Sequence, residues 1–180
     1  YASRERDRSV TWLIVKHSFW GDIARALLLH LHELGFHKFI FIGKLGSLRP
    51  GHVPNETLAT GSSSNVEGTI ISWSNLVETV TAANLYRGHH VTLPSVLQET
   101  CTWRESLPAD CCFVDPEIGR FAQAAQETGA GFGYLHLVSD NVAASYAEDL
   151  SNERELGIPD KRKELYRNIA HLLEAVLAAP

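Results

Sequence analysis

Apolar positions along the chain switch between two periods, one suited to strands and one to helices. Residues 10–15, VTWLIV, form a short β-branched apolar run and read as a buried strand. Beyond His17–Gly21, apolar side chains recur at Ile23, Ala24, Leu27, Leu28, Leu31 and Leu34. That spacing of three and four predicts an amphipathic helix stopped by Gly35. Phe39–Ile42 predicts a second buried strand, which runs into a glycine-containing turn at Gly43–Leu48. Two such strands joined by one helix predict a βαβ unit, a parallel pair with a right-handed crossover.

The alternation continues downstream. Gly68–Trp73 and His90–Leu93 read as strands, with a helix expected between them over Leu76–Tyr86. Cys112–Asp115 predicts a short strand feeding a helix over Pro116–Thr128, with proline placed in the first turn. Gly131–Val138 predicts another buried strand, ending at Ser139-Asp140. A last helix is expected over Pro159–Leu177, with Leu165, Ile169, Leu172, Leu173 and Val176 on one face. The whole predicts an α/β fold: a mixed, mostly parallel sheet flanked by helices in three layers. No repeat or linker divides the 180 residues, so one domain over 1–180 is expected. The polar stretch Ala143–Lys163 reads as the most mobile loop.

Composition narrows the classes. Hydrophobic residues make up 44% and charged residues 21%, ordinary globular proportions that exclude a disordered or collagen-like chain. The net charge of −5 argues against a nucleic-acid partner, which calls for a basic face. No apolar run approaches the roughly 18 residues of a membrane-spanning helix, so no membrane partner is expected. Three cysteines without a CxxC pair read as reduced thiols in a cytoplasmic setting. The chain holds no methionine and opens on the polar run YASRERDR, so a native N-terminal segment is expected to be missing. Nine histidines raise the question of metal. His30 and His32 sit two apart on a helix, and His89 and His90 alternate on a strand, so neither pair chelates. No metal and no cofactor are expected.

In an open α/β sheet, ligands bind beyond the carboxyl ends of the strands. Four segments qualify: His17–Gly21, Gly43–Ser47, Asp115–Glu117 and Ser139–Asn141. Turn-making and helix capping account for any one of them alone. Four together, each at the end of an apolar strand, point to a site.

Their order and spacing carry a resemblance. The run LIVKHSFWGDIARALLLHLHELGFHKFIFIGKLGSLRPG, then FVDPEIGRFAQAAQETGAGFGYLHLVSDN, then the terminal helix resembles the purine nucleoside phosphorylase/uridine phosphorylase superfamily. That family places a G-x-x-G-[small]-L-x-P-like turn after a strand, a V-D/E-M-E helix start, and a strand ending in S-D. The resemblance spans residues 10–178, and the ordered set is more specific than any single motif. It implies cleavage or formation of the N-glycosidic bond of a nucleoside-like small molecule. It further implies that Glu117 holds the ribose hydroxyls and that Asp140 protonates the departing base, oriented by Ser139. Water or an anion would attack near Gly43–Ser47. Arg154 stands about where some members carry an arginine partner for that aspartate, with Arg162 as a rival. His17 is a candidate substrate contact, with a structural turn histidine as the equal alternative. The family completes its sites across subunits, so a homo-oligomer is expected.

The departures matter as much. Phosphorylases of the family carry an arginine and a serine or threonine against phosphate; the corresponding positions here are Phe41 and Lys44. The glycine-rich N-terminal phosphate loop is absent from this sequence. Hydrolysis is therefore expected over phosphorolysis, with Lys44 either a point charge for phosphate or another anion, or a solvent-facing lysine. The methionine that packs on the sugar is replaced by Pro116, a stiffer floor. The stretch LPSVLQETCTW does not match the family's base-stacking pattern, so Leu97, Trp103 and Tyr134 stay equal candidates. Two alternatives remain at this point: a non-catalytic nucleoside-binding or sensing domain, and a specialised biosynthetic enzyme on the same fold.

Overall fold

A computed structural model of the chain describes residues 2–5, 8–155 and 157–178. The strands are β1 (Ala2–Glu5), β2 (Arg8–Thr11), β3 (Lys38–Ser47), β4 (Leu58–Thr60), β5 (Ser63–Val66), β6 (Thr69–Ser72), β7 (Leu85–Arg87), β8 (His89–Thr92), β9 (Cys111–Asp115) and β10 (Gly131–Asn141). The helices are α1 (Asp22–Glu33), α2 (Cys101–Ser106), α3 (Ile118–Thr128) and α4 (Ile158–Ala178), with a 3₁₀ turn over Val96–Gln98. Eight strands form one mixed sheet in the order β6-β5-β8-β9-β3-β10-β4-β7, and β1 and β2 pair separately as a hairpin.

The sheet is the middle of three layers. Along β3, Phe39, Phe41 and Leu45 turn to the face covered by α1 and α3, while Ile40 and Ile42 turn to the face covered by α4. On β10, Phe132, Tyr134 and Val138 join the first face and Leu135 and Leu137 the second. A strand covered on both sides has no polar face, which is why Gly131–Val138 is nearly continuous in apolar residues. On α4, Leu165, Ile169 and Leu173 recur every fourth residue and are buried. Ala122 and Ala125 of α3 let it lie close to Ala24 and Leu28 of α1.

Several expected elements differ. The run 10–15 is not a buried strand: β2 ends at Thr11, and Trp12, Leu13, Ile14 and Val15 are exposed, Ile14 by 84%. No βαβ unit is therefore formed with β3. On its other side β3 meets β9 only at Gly46 and Ser47, so no described strand lies along Phe39–Leu45 there. The expected turn at Gly43–Ser47 is a continuation of β3, and β10 likewise runs through Ser139 and Asp140. No helix spans Leu76–Tyr86. There the Asn75 side chain accepts from the Val77 amide, and Arg87 donates to the carbonyls of Glu78 and Val80, taking groups a helix would use. Pro116 precedes α3, whose cap position is Glu117. β4 and β5 are buried though small and polar in sequence, as in Thr60, Ser63 and Ser64, which hides them from a hydrophobic pattern.

Candidate functional site

The carboxyl ends of β3, β8, β9 and β10 carry the polar residues. β3 and β10 run parallel, with Val138 opposite Leu45 and Asp140 opposite Gly46. One extra residue, Ser139, is thus squeezed into β10, a bulge of the kind that re-aims side chains beside functional sites. Ser139 Oγ donates to Asp140 Oδ1 at 2.8 Å, with the Leu45 carbonyl 3.2 Å away. Gly46 makes room for this carboxyl: a Cβ there would lie 3.2 Å from Asp140 Oδ2. Burial pushes the Asp140 carboxyl up from its ordinary value, against the pull of Ser139, Lys44 and Arg162.

Three more carboxylates lead away from it. Glu99, just beyond the 3₁₀ turn, faces both Asp140 and Asp115, and burial with these two charges pushes it up to about 7. Asp115 ends β9, and its Oδ1 accepts from the amides of Glu117 at 2.9 Å and Ile118 at 2.8 Å, capping α3. Burial drives the Asp115 carboxyl up, but His90 and the Ile118 amide outweigh it and hold it below its ordinary value. Glu117, burdened by burial and by the Asp115 charge, is pushed up to about 9. Asp115 is 3.1 Å from His90 Nε2 through Oδ1 and 3.9 Å from His136 Nε2 through Oδ2. Burial lowers His136 to about 4, so its ring is neutral near pH 7. A Cβ on Gly43 would come within 2.9 Å of His136 Nε2, so only glycine fits over that ring.

The basic residues answer to a loop rather than to an open anion site. Lys44 Nζ is 2.9 Å from Glu153, which also accepts from Arg162 Nη1 at 2.7 Å. Together they hold the Glu153 carboxyl down at about 2. Arg162 continues to Asn55 Oδ1 at 2.7 Å, and Asn55 donates to Glu148 at 3.1 Å. The stretch Ala143–Lys163, expected to be mobile, is thereby tied to the mouth of the sheet through Glu148, Glu153 and Arg162. A cleft of about 250 Å³ opens there, lined by Arg104, Asn141, Tyr146, Glu148 and Asp149 among others. It adjoins Asp140 in the chain, but none of the four carboxylates lines it.

Of the expected site residues, Gly43, Lys44, Ser139 and Asp140 stand on the parallel pair β3 and β10, and Pro116 and Glu117 follow β9, which meets β3 antiparallel at Gly46 and Ser47. Of the two rival arginines, Arg162 is the one that bears on Asp140, while Arg154 is exposed. His17 lies on an exposed stretch, tied in only through its neighbours: the Gly21 amide donates to the Pro116 carbonyl, and Phe19 packs on Phe41 and Phe121. Phe41 packs into the core against Phe121 and His136. Tyr134 is fully buried and Leu97 is 88% exposed, so neither presents a half-open ring or side chain to a base. Glu99, His90 and His136 had no reading as site residues, and Asp115 had one only as the start of the segment Asp115–Glu117. Glu99 was legible as a carboxylate shortly after a strand end, but the histidines lie within strands and carried no signal. Among the described residues no cluster of three or more His, Cys, Asp or Glu side chains is placed to hold a metal ion.

The described residues form a three-layer α/β scaffold with carboxylates gathered about the ends of its strands. Solved structures agree on the fold. A 5′-methylthioadenosine/S-adenosylhomocysteine nucleosidase from S. pneumoniae, solved with a transition-state inhibitor, superposes with a TM-score of 0.67 at 15% identity, over 89% of this chain and 78% of that one. The futalosine hydrolase of Helicobacter pylori gives 0.65 at 18% identity, over 88% and 76%. Another MTA/SAH nucleosidase gives 0.70 at 17% identity, over 90% and 71%. No protein-family model and no curated protein matches the sequence. The chain has the fold of these enzymes.

Proposed function

We propose that this protein hydrolyses the N-glycosidic bond of a nucleoside or nucleoside-like substrate, with water rather than phosphate as the acceptor. The observation that carries the reading is the pair Asp140 and Glu117 at the carboxyl end of the central strands of this fold. Burial raises Asp140, so its carboxyl keeps a proton longer and suits the role of general acid toward a departing base. Ser139 fixes its rotamer. Glu117, at the start of α3, would hold the ribose 2′ and 3′ hydroxyls, with Pro116 beneath the sugar. Protonation of the base and build-up of positive charge at C1′ would be met by the carboxylates Glu99 and Asp115, and water would complete the cleavage beside Gly43–Ser47. The two positions that match the family's phosphate contacts offer phosphate little: Lys44 is engaged by Glu153, and Phe41 is half-buried against the core.

A purine-like leaving group is the base class that a carboxylic acid donor at Asp140 serves. Exposed Trp12, Ile14, Trp20 and Ile23 support assembly into a homo-oligomer, and the free cysteines support a cytoplasmic setting. The test is incubation with a panel of nucleosides, with and without phosphate, followed by chromatography for free base, with Asp140→Asn as control. Base released without phosphate and lost in Asp140→Asn is the expected result. Binding of nucleosides with no release would move the protein to a non-catalytic binding domain, and release only with phosphate would refute the reading of Lys44 and Phe41.

A further inference from the structure

Behind Glu117, buried polar side chains on β5 and β8 that the proposed reaction does not use lead to Asp115. The Gly119 amide of α3 donates to Thr92 Oγ1 at 2.8 Å. Thr92 Oγ1 is 3.0 Å from Ser64 Oγ, which is 2.9 Å from His90 Nδ1. With the Ser64 hydroxyl donating to Nδ1, the ring proton of His90 sits on Nε2, 3.1 Å from Asp115 Oδ1. That oxygen in turn accepts the amides of Glu117 and Ile118, returning to the first turn of α3. Thr92 and Ser64 thus hold His90 through Nδ1, and its Nε2 edge lies against one carboxylate at contact distance, without an aligned hydrogen bond. Ser64, His90 and Asp115 are 1%, 1% and 3% exposed. They match the residue types of a hydrolytic triad, but the serine is sealed from substrate and its oxygen is occupied on both sides, so it is no nucleophile.

We infer that His90 is a positioning residue for Glu117: gripped by Ser64, it fixes the Asp115 carboxylate that caps α3 and so sets where Glu117 stands. The inference rests on the proposed role of Glu117 toward the ribose hydroxyls. The titratable groups facing the Asp115–Glu117 pair are His90 from β8, Tyr134 and His136 from β10 and Glu99 from the loop after β8.

The test compares cleavage of a ribonucleoside with that of its 2′-deoxy counterpart in wild type, His90→Leu, His90→Gln and Ser64→Ala. The glutamine amide replaces the Nε2 donor, so it serves as the conservative variant. His90→Leu is expected to lower the ribo-to-deoxy ratio of kcat/KM about tenfold, Ser64→Ala by less, and His90→Gln to restore most of it. A merely structural role lowers both substrates in proportion, and an unchanged ratio in folded His90→Leu overturns the inference. Ser64→Ala and His90→Gln decide the matter if His90→Leu does not fold. A wild type that neither binds nor cleaves any nucleoside refutes the proposed function alone. The carboxyl ¹³C resonance of Glu117 then decides this one: its titration midpoint shifts in His90→Leu if His90 and Glu117 are coupled through Asp115, and stays in place if they are not.

Discussion

Replacing Glu117 by glutamine tests the electrostatics of the site without any substrate. In the folded protein burial and Asp115 hold the Glu117 proton up to about pH 9, whereas the unfolded chain releases it near 4.5. Between those values the folded state carries one proton more than the unfolded state, so stability falls as pH rises. Each pH unit is worth about 1.4 kcal/mol, which puts the loss between pH 5.5 and 7.5 at about 3 kcal/mol. Glu99, raised to about 7, acts with the same sign between 4.5 and 7. His136, lowered to about 4, acts oppositely, since stability is lost as pH falls from 6.5 toward 4. Comparing wild type with Glu117→Gln at each pH subtracts both. Urea unfolding followed by tryptophan fluorescence is the assay. Glu117→Gln is expected to gain on wild type by ~1–3 kcal/mol between pH 5.5 and 7.5. Parallel pH profiles for the two proteins would refute the claim that the folded state holds a proton on Glu117.

Other outcomes follow from named contacts. Asp140→Asn keeps the Ser139 neighbour but cannot release a proton, and is expected to cut base release by about 10²–10⁴-fold with its unfolding midpoint retained. Gly119→Ala would drive a Cβ against Thr92 Oγ1, Val66 Cγ2 at 2.5 Å and Ser64 Oγ at 2.8 Å, and is expected to cost ~1–3 kcal/mol in urea despite the helix preference for alanine. Lys44→Ala breaks a pair whose side chains are 40% and 29% exposed and should cost ~0–1 kcal/mol. Arg162→Met strands Glu153 and Asn55 at a nearly buried position and should cost more, ~1–3 kcal/mol, in the same unfolding assay.

Much of the architecture was legible before any coordinates. The i, i+3, i+4 spacing located α1, α3 and α4, and apolar runs located β3, β9 and β10, because each of these elements buries a stripe or both faces. The carboxyl-end rule also marked Glu117, Ser139 and Asp140, since polar residues closing an apolar strand need a reason to be there. Where the pattern misled, burial was decided by partners distant in sequence. Residues 12–15 have the composition of an interior strand, yet no described strand takes them in. Leu76–Tyr86 has helical spacing, yet Asn75 and Arg87 capture its backbone groups.

What the sequence determined by itself, then, is the set of amphipathic and apolar elements and the carboxylates at their ends, properties written within about a dozen neighbouring residues. Only the tertiary structure decided which polar groups meet. Asp115 is flanked by His90 from β8 and His136 from β10, two histidines within otherwise buried strands that periodicity reads as core. Glu99 faces Asp140 across the sheet mouth, and Lys44 finds Glu153 at 109 residues' distance. Such pairings depend on strand order and register, which arise from the sum of contacts over the whole sheet. No local pattern encodes that sum, and the protonation of Glu117, His136 and Asp140 follows from it through burial and neighbouring charge.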